Sequence, residues 1–162
     1  MKNIAIELKW AVLITVATFT WMLLEKTMGW HHEHIANHYW LTLLFFPILI
    51  FLYTLALREK RRKYYQGSMS WVQGFFSGAI LSVILAIFAP LSQYVIHTYI
   101  TPHYFPNIIE FVVESGQMPR EKAEAYFTLT SYIIQAAIGA VVGGLVISAV
   151  VAVFLKRKKT VA

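Results

Sequence analysis

Long apolar stretches without a charged side chain alternate with short charged segments along the chain. The apolar stretches cover residues 10–24, 39–57, 64–96 and 125–155. Crossing about 30 Å of hydrocarbon takes roughly 20 helical residues, and the last three stretches have or approach that length. The first reaches it if Lys9 and Glu25 at its ends extend toward the lipid headgroups. The pattern therefore predicts an all-α polytopic membrane protein with four transmembrane helices.

The predicted helices form a four-helix bundle within a single integral membrane domain over residues 1–162. Their expected bounds are about residues 8–29, 39–58, 68–97 and 124–156. Pro47 and Pro90 fall inside the second and third helices, where a proline usually kinks the backbone. The first segment is predicted to be an uncleaved helix, since no small-residue cleavage site follows it.

The loop between the third and fourth helices contains helix signals of its own. Asn107 followed by Glu110 resembles a capping box, which would open an apolar segment that Gly116 can end. Pro119 suits the first turn of another helix, which is expected to run through Tyr126 into the fourth membrane helix. We therefore predict a helical outer loop whose apolar segment lies in the membrane interface.

Lys and Arg are distributed unequally between the two sides of this topology. Eleven lie near the two termini or between the second and third helices, and three lie on the other side: Lys26, Arg120 and Lys122. Because cytoplasmic loops hold the excess of these residues, both termini are predicted to be cytoplasmic in a bacterial inner membrane. All six histidines and six of the eight acidic residues then face outward.

The amino-acid composition also favours a membrane protein, with most of its surface in contact with lipid. The 162 residues are 58% hydrophobic and 14% charged, whereas a soluble domain is about half apolar and about a quarter charged. The formal charge of +6 comes mostly from clusters that flank apolar segments, so no nucleic-acid partner is expected. The chain has no cysteine, and any metal site must therefore use histidines and carboxylates.

Histidines are concentrated after the first apolar stretch. If this segment is helical, His31, His34 and His38 share one stripe, because residues three and four apart are neighbours on a helix. Imidazoles suit a divalent transition metal ion such as zinc or copper. The predicted ligand set is completed by Glu33, with further candidates in Glu25, His97 and His103. Two other interpretations stay open: an interfacial belt of histidines and aromatic residues, and a patch that gains charge as the pH falls.

Polar side chains within the predicted membrane helices are almost all non-ionisable. Proton relays and ion pathways usually need buried ionisable groups, so a proton-coupled pump within one chain is not expected. Glu25 is the exception, at the outer boundary, where an ion pair with Lys26 is favoured over a coupling site. No catalytic motif is found in the sequence, and enzyme activity is therefore not expected.

Small residues and amides at helical spacing predict helix packing. The predicted packing residues are Gly74, Gly78, Gly139 and Gly143, and Gly144 and Ser148 continue the run of small residues. Gln73 and Gln135 are the predicted interhelical hydrogen-bonding groups. Contacts within one bundle and contacts between two copies both fit this pattern. Residues 78–88 also echo residues 144–154 in their Gly, Ser, Ala and Phe positions, through chance or through an internal duplication.

Short stretches along nearly the whole chain carry a resemblance to a known family. They include Trp21-Met22-Leu23-Leu24-Glu25-Lys26, His34-Ile35 with His38, Gln73-Gly74-Phe75, Pro90-Leu91, Thr101-Pro102 with Tyr104-Phe105, and the run from Glu124 to Gln135. Their order and spacing resemble an uncharacterised Bacteroidetes inner-membrane family, domain of unknown function four-one-nine-nine. The resemblance implies four helices and a bacterial origin, and it implies no activity.

These observations favour a helical-bundle binding or assembly component of the inner membrane. Its expected partners are the lipid bilayer and either a second copy or a larger membrane complex. The alternative is a metal- or pH-responsive sensor or transport component that uses the outer histidine cluster. A third hypothesis is an enzyme that acts on lipid headgroups at the outer interface.

Overall fold

The computed structural model describes residues 4–157. Within that range, four helical stretches are long and apolar enough to cross a membrane: Ala5–Thr27, Ile35–Lys63, Trp71–Ile100 and Leu129–Leu155. The all-helical fold and the four long apolar helices predicted from the sequence are thus confirmed, and they suggest a multi-pass membrane protein. Three basic residues that count toward the predicted orientation lie outside the described residues: Lys2, Lys158 and Lys159.

Helix α1 covers Ala5–Thr27 and therefore ends two residues before the predicted bound. The early end has a backbone cause. Gly29 has a φ of +75°, a left-handed conformation that glycine adopts without a steric penalty. The chain leaves the helix there and forms a series of turns up to residue 34.

The second apolar stretch is divided into two α-helices. Helix α2 covers Ile35–Leu41, a 3₁₀ turn covers Thr42–Leu44, and helix α3 covers Phe45–Lys63. Pro47 lies in the first turn of α3, where its missing N–H breaks no helical hydrogen bond. Helix α3 also includes the basic residues that follow the apolar stretch, because cations are favourable in the last turn of a helix.

Helix α4 covers Trp71–Val95 and continues as a π-helical segment over Ile96–Ile100. It starts three residues after the predicted bound because Ser70 and Gln73 form a capping box. The Ser70 hydroxyl accepts a hydrogen bond from the Gln73 N–H at 3.2 Å, and the Gln73 side chain accepts one from the Ser70 N–H at 2.8 Å.

The segment between the third and fourth long helices, here called the outer loop after its predicted position, is helical as predicted, but its helices have other bounds. Helix α5 covers Tyr104–Glu114, so Asn107 lies inside it and forms no capping box there. Gly116 has the positive φ expected after a helix end, +68°. Helix α6 covers Arg120–Tyr126 and does not continue into the last helix. Thr128 interrupts it, because its hydroxyl accepts the Ser131 N–H and caps helix α7 over Leu129–Leu155.

Helices α4 and α7 pack closely and antiparallel through a reciprocal pair of contacts. A Cβ atom at Gly78 would overlap the Ser148 side chain, and a Cβ atom at Gly144 would overlap the Ser82 side chain. Each serine hydroxyl bonds back to a carbonyl of its own helix, Ser82 to Gly78 at 2.7 Å and Ser148 to Gly144 at 2.5 Å. The two backbones can approach because glycine has no side chain at the crossing.

The two buried cores lie at different levels of the bundle. The larger one combines α1, α3, α4 and α7, including Ile14, Tyr53, Leu57, Leu81 and Ile147. The smaller one lies under the outer loop and consists of Ile35, Tyr104, Ile108, Val112 and Ala123. This second core fixes α5 against α2, so the outer loop is a packed cap on the bundle.

Candidate functional site

A buried carboxylate lies near the C-terminal end of helix α1. Glu25 is 0% exposed, and its two oxygens have different partners. Trp21, one helical turn earlier, donates its indole N–H to Oε1 at 2.6 Å. The Nε2 atom of His31 lies 3.0 Å from Oε2. The carboxylate therefore contacts an indole and an imidazole, and not Lys26 as the sequence pattern favoured.

His31 reaches Glu25 because the turns after α1 fold the chain back on itself. The Trp30 N–H bonds to the Glu25 carbonyl and the His34 N–H to the Gly29 carbonyl, at 3.0 and 2.9 Å. His31 is 0% exposed as a result. Asn107 of helix α5 donates to the His31 carbonyl at 2.8 Å, which holds the outer loop against these turns.

His38 completes a group of three side chains whose nitrogen and oxygen atoms could bind a metal ion. It lies in α2, with its Nδ1 atom 3.8 Å from Glu25 Oε2 and its ring centroid 5.0 Å from that of His31. Glu25, His31 and His38 each offer one ligand atom, and these atoms all lie within 4.8 Å of one another. Two imidazoles and a carboxylate form a donor set that zinc accepts in proteins.

Tyr104 covers the three side chains from helix α5. Its ring centroid lies 5.3 Å from those of both His31 and His38 and 5.7 Å from that of His97. Its hydroxyl lies 3.2 Å from the hydroxyl of Tyr132 in α7. Burial, together with the nearby Tyr132, raises the pKa of Tyr104 far above its ordinary value of 10, so this hydroxyl keeps its proton near neutral pH.

Three buried imidazole nitrogens at this end of the bundle form no hydrogen bond with any described protein atom. They are the Nδ1 atoms of His31, His38 and His97. Buried polar atoms are nearly always hydrogen-bonded, because leaving one unsatisfied costs about 1–3 kcal/mol. Imidazole nitrogens that lack a protein partner and lie near a carboxylate are suited to bind a metal ion or a polar ligand.

The structure separates the histidines that the sequence places together. His31 lies in the turns and His38 in α2, so no single helical stripe joins them. His34 and Glu33 are exposed and do not belong to the group of three. Glu25, which the sequence offers only as a further candidate ligand, takes the central position.

Two of the predicted packing glycines make close helix contacts and two do not. Gly78 contacts Ser148, and a Cβ atom at Gly74 would lie 3.1 Å from that of Ala152. A Cβ atom at Gly139 or Gly143 would meet nothing within 4 Å among the described residues. The close approach on α7 occurs at the neighbouring position, Gly144, which belongs to the same predicted run of small residues.

The two predicted glutamines have different local roles. Gln73 caps its own helix and links no helix pair through the hydrogen bonds described above. Gln135 accepts a hydrogen bond from the Tyr126 hydroxyl at 3.3 Å and thereby connects α7 to α6.

A second buried charged group lies at the opposite end of the bundle, and the sequence analysis missed it. The Lys60 ammonium lies 2.9 and 3.0 Å from the two oxygens of Glu7, and Ser77 donates to Glu7 at 2.6 Å. Glu7 and Lys60 are 2% and 4% exposed. The spacing of 18 residues between Glu7 and Glu25 is the sequence signal that would have placed both carboxylates on one face of a helix.

Comparison with known proteins identifies one family. The family model described as "Protein of unknown function (DUF4199)" matches residues 9–157, which is most of the chain. No curated protein and no solved structure matches the chain. The family match agrees with the resemblance in the sequence, and it assigns no activity to any residue.

Proposed function

We propose that this chain, which belongs to the family described as protein of unknown function (DUF4199), is a membrane protein that binds a divalent transition metal ion. Glu25, His31 and His38 are the proposed ligands. The observation that carries the proposal is their convergence: one donor atom from each lies within 4.8 Å of the others. Their positions in α1, in the following turns and in α2 make this a property of the folded chain.

The residues present suit such an ion chemically. Imidazole and carboxylate groups bind zinc and related first-row ions, and the Nδ1 atoms of His31 and His38 have no protein partner among the described residues. Trp21 donates a hydrogen bond to Oε1 of Glu25, the oxygen that does not face His31. A hydrogen bond to the oxygen that is not the ligand atom orients a metal-binding carboxylate. Burial behind Tyr104 would restrict access of water to the ion.

The proposed location is the outer side of a bacterial inner membrane, with both termini in the cytoplasm. The excess of Lys and Arg on the opposite side of the bundle supports this orientation. The metal site would then face the periplasm, and the Glu7–Lys60 pair would lie near the cytoplasm. The proposed role is binding, in a sensor or transport component, without catalysis.

A role in assembly is a second candidate, and one observation favours it. A Cβ atom at Gly143 would meet nothing within 4 Å among the described residues, and Val142 and Val146 beside it on α7 are exposed. Gly139, in contrast, lines a cavity between α7 and the other long helices. Small residues on a membrane-facing surface allow close approach of another helix. A second copy or a larger membrane complex could bind there through the bilayer.

Calorimetry on tag-free, chelator-treated protein in detergent tests the metal proposal. Wild-type protein should bind zinc saturably, with one ion per chain. His38→Ala removes a proposed ligand and should lower the affinity by at least about tenfold. His34→Ala is the matched control, because His34 lies in the same segment but is exposed and outside the group. It should leave the affinity unchanged.

Two results would contradict the proposal. One is the absence of saturable zinc or copper binding below about millimolar concentration in wild-type protein that gives a cooperative thermal transition by circular dichroism. The other is equal loss of affinity in His34→Ala and His38→Ala, which would assign the ion to the exposed surface. A His31→Ala, His34→Ala, His38→Ala triple variant gives the baseline for non-specific binding.

A further inference from the structure

A second site lies beside the three proposed ligands, in a cavity of about 740 Å³ between the outer ends of the helices. Apolar and aromatic side chains form most of its wall, including Met22, Ile96, Phe111 and Phe127. Polar side chains of α2, of α4 with its π-helical continuation, and of α7 also line it, among them His38, His97 and Gln135. From this composition we infer that the cavity binds an uncharged amphiphile whose head donates a hydrogen bond, such as a lipid with a hydroxyl head.

His97 is the residue that selects a hydrogen-bond donor. Its Nε2 atom lies 3.1 Å from the Gln93 Oε1 atom, which can only accept, so Nε2 donates and carries the hydrogen. In the neutral ring Nδ1 is then an acceptor, and this atom is buried without a partner among the described residues. The ring is held in place by stacking on Phe105 at 4.2 Å between centroids. A donating group on the ligand would satisfy Nδ1.

The charge at this end of the molecule disfavours an anionic head. Six carboxylates, those of Glu25, Glu33, Glu110, Glu114, Glu121 and Glu124, lie in the outer segments, against three basic residues. One of the acidic residues, Glu25, is fully buried next to His38, which lines the cavity. A phosphate or carboxylate head would be repelled by these groups, whereas a hydroxyl head would not.

The position of the cavity suits a ligand that arrives from the bilayer. Exposed aromatic side chains surround it: Tyr39 and Trp40 are 67% and 68% exposed, and Tyr126 is 48% exposed. Tyrosine and tryptophan are enriched where the hydrocarbon meets the headgroups. An apolar tail can therefore remain near the lipid while the head reaches His97. This inference depends on the cavity and on His97, and it does not need a bound metal.

Native mass spectrometry of chelator-treated protein released from detergent can measure the binding. Three lipids with the same chain serve as probes: monoolein with a hydroxyl head, methyl oleate without a donor, and anionic oleate. Wild-type protein should bind monoolein roughly fivefold more tightly than methyl oleate, as expected for one hydrogen bond. Oleate should bind more weakly than monoolein. His97→Phe keeps a ring but removes the acceptor, and it should abolish the preference for monoolein.

Control variants separate the site from the rest of the surface. His103→Phe changes an exposed histidine that does not line the cavity and should keep the preference. Ala36→Trp should fill the cavity and reduce binding of all three lipids, whereas Asn37→Trp, next to it but outside the lining, should not.

Equal binding of monoolein and methyl oleate by wild-type protein would overturn the inference without any variant. So would an unchanged preference in a folded His97→Phe protein. Because the chelator is present throughout, failure of the metal proposal cannot produce either result.

Discussion

Glu7 and Glu25 lie on the same face of helix α1, and both are buried, at 2% and 0% exposure. The 18 positions between them correspond to about five helical turns and about 27 Å along the axis, close to the thickness of the hydrocarbon layer. One helix therefore brings a buried carboxylate to each end of the bundle. Glu7 pairs with Lys60 of α3 at one end, and Glu25 contacts His31 at the other.

The Glu7–Lys60 pair should be important for stability. Removing one member of a buried ion pair typically costs about 3–5 kcal/mol, because the other charge stays buried without its counter-ion. Lys60→Met should therefore lower the thermal midpoint measured by circular dichroism in detergent. The double variant Glu7→Gln, Lys60→Met should recover part of the loss, since neither charge of the pair remains.

Lys63→Met is the matched control for this pair. Lys63 also bonds to a glutamate, Glu59, at 2.9 Å, but its side chain is 70% exposed. An exposed pair of this kind contributes at most about 1 kcal/mol. If Lys63→Met and Lys60→Met shift the midpoint equally, burial of the Glu7–Lys60 pair does not govern stability.

The crossing of α4 and α7 should not tolerate added side-chain volume. Gly78→Ala and Gly144→Ala would each place a methyl group on a serine of the opposite helix, and overpacking of this kind typically costs about 1–3 kcal/mol. Gly139→Ala and Gly143→Ala have open space and should leave the midpoint unchanged. Gly143→Leu, which the small-residue pattern alone would expect to destabilise the bundle, should likewise not do so within one chain.

Thermal unfolding in detergent shows which of these glycines stabilise the fold. Cross-linking shows whether a glycine acts within one chain or between two copies. A midpoint that falls for Gly143→Leu together with loss of a cross-linked dimer would assign that face to contact between copies. A midpoint that stays constant for both Gly78→Ala and Gly144→Ala would mean that the two helices do not cross as described.

The cysteine-free sequence allows a direct test of orientation by single-cysteine labelling. With both termini cytoplasmic, Asn37→Cys and Gln117→Cys should react with a membrane-impermeant maleimide in intact cells. Gln66→Cys should react only after permeabilisation, as should Thr160→Cys, whose position lies outside the described residues. All three described positions are exposed, so lack of reaction would reflect the side of the membrane. Labelling of Gln66→Cys from outside would reverse the assignment.

Metal binding through His31 and His38 should depend on pH. Imidazole must be unprotonated to bind a metal ion, so protons compete with the ion for these two side chains as the pH falls. Zinc affinity should therefore decrease from about pH 7.5 through about 6.5 to about 5.5. Calorimetry at these three pH values gives the slope. An affinity that does not change across this range would exclude histidine ligands.

The sequence by itself determined the number of long apolar helices and their approximate positions. Partition into lipid depends on the composition of about 20 consecutive residues, which is a local property of each segment. The ends of the helices were less determined, because they depend on single residues. Gly29 ends α1 and Thr128 separates α6 from α7, through a positive φ and a capping hydroxyl that hydropathy does not register.

Only the tertiary structure decided which residues meet. In a membrane helix both the lipid-facing and the protein-facing surfaces are apolar, so the sequence does not reveal the rotation of the helix about its axis. The structure places Gly144 at the crossing with α4 and leaves Gly143 open. It likewise brings Glu25 between His31 and His38 while His34 stays outside, because the turns after α1 return His31 to that helix. These contacts join residues from separate segments, and no local pattern along the chain specifies them.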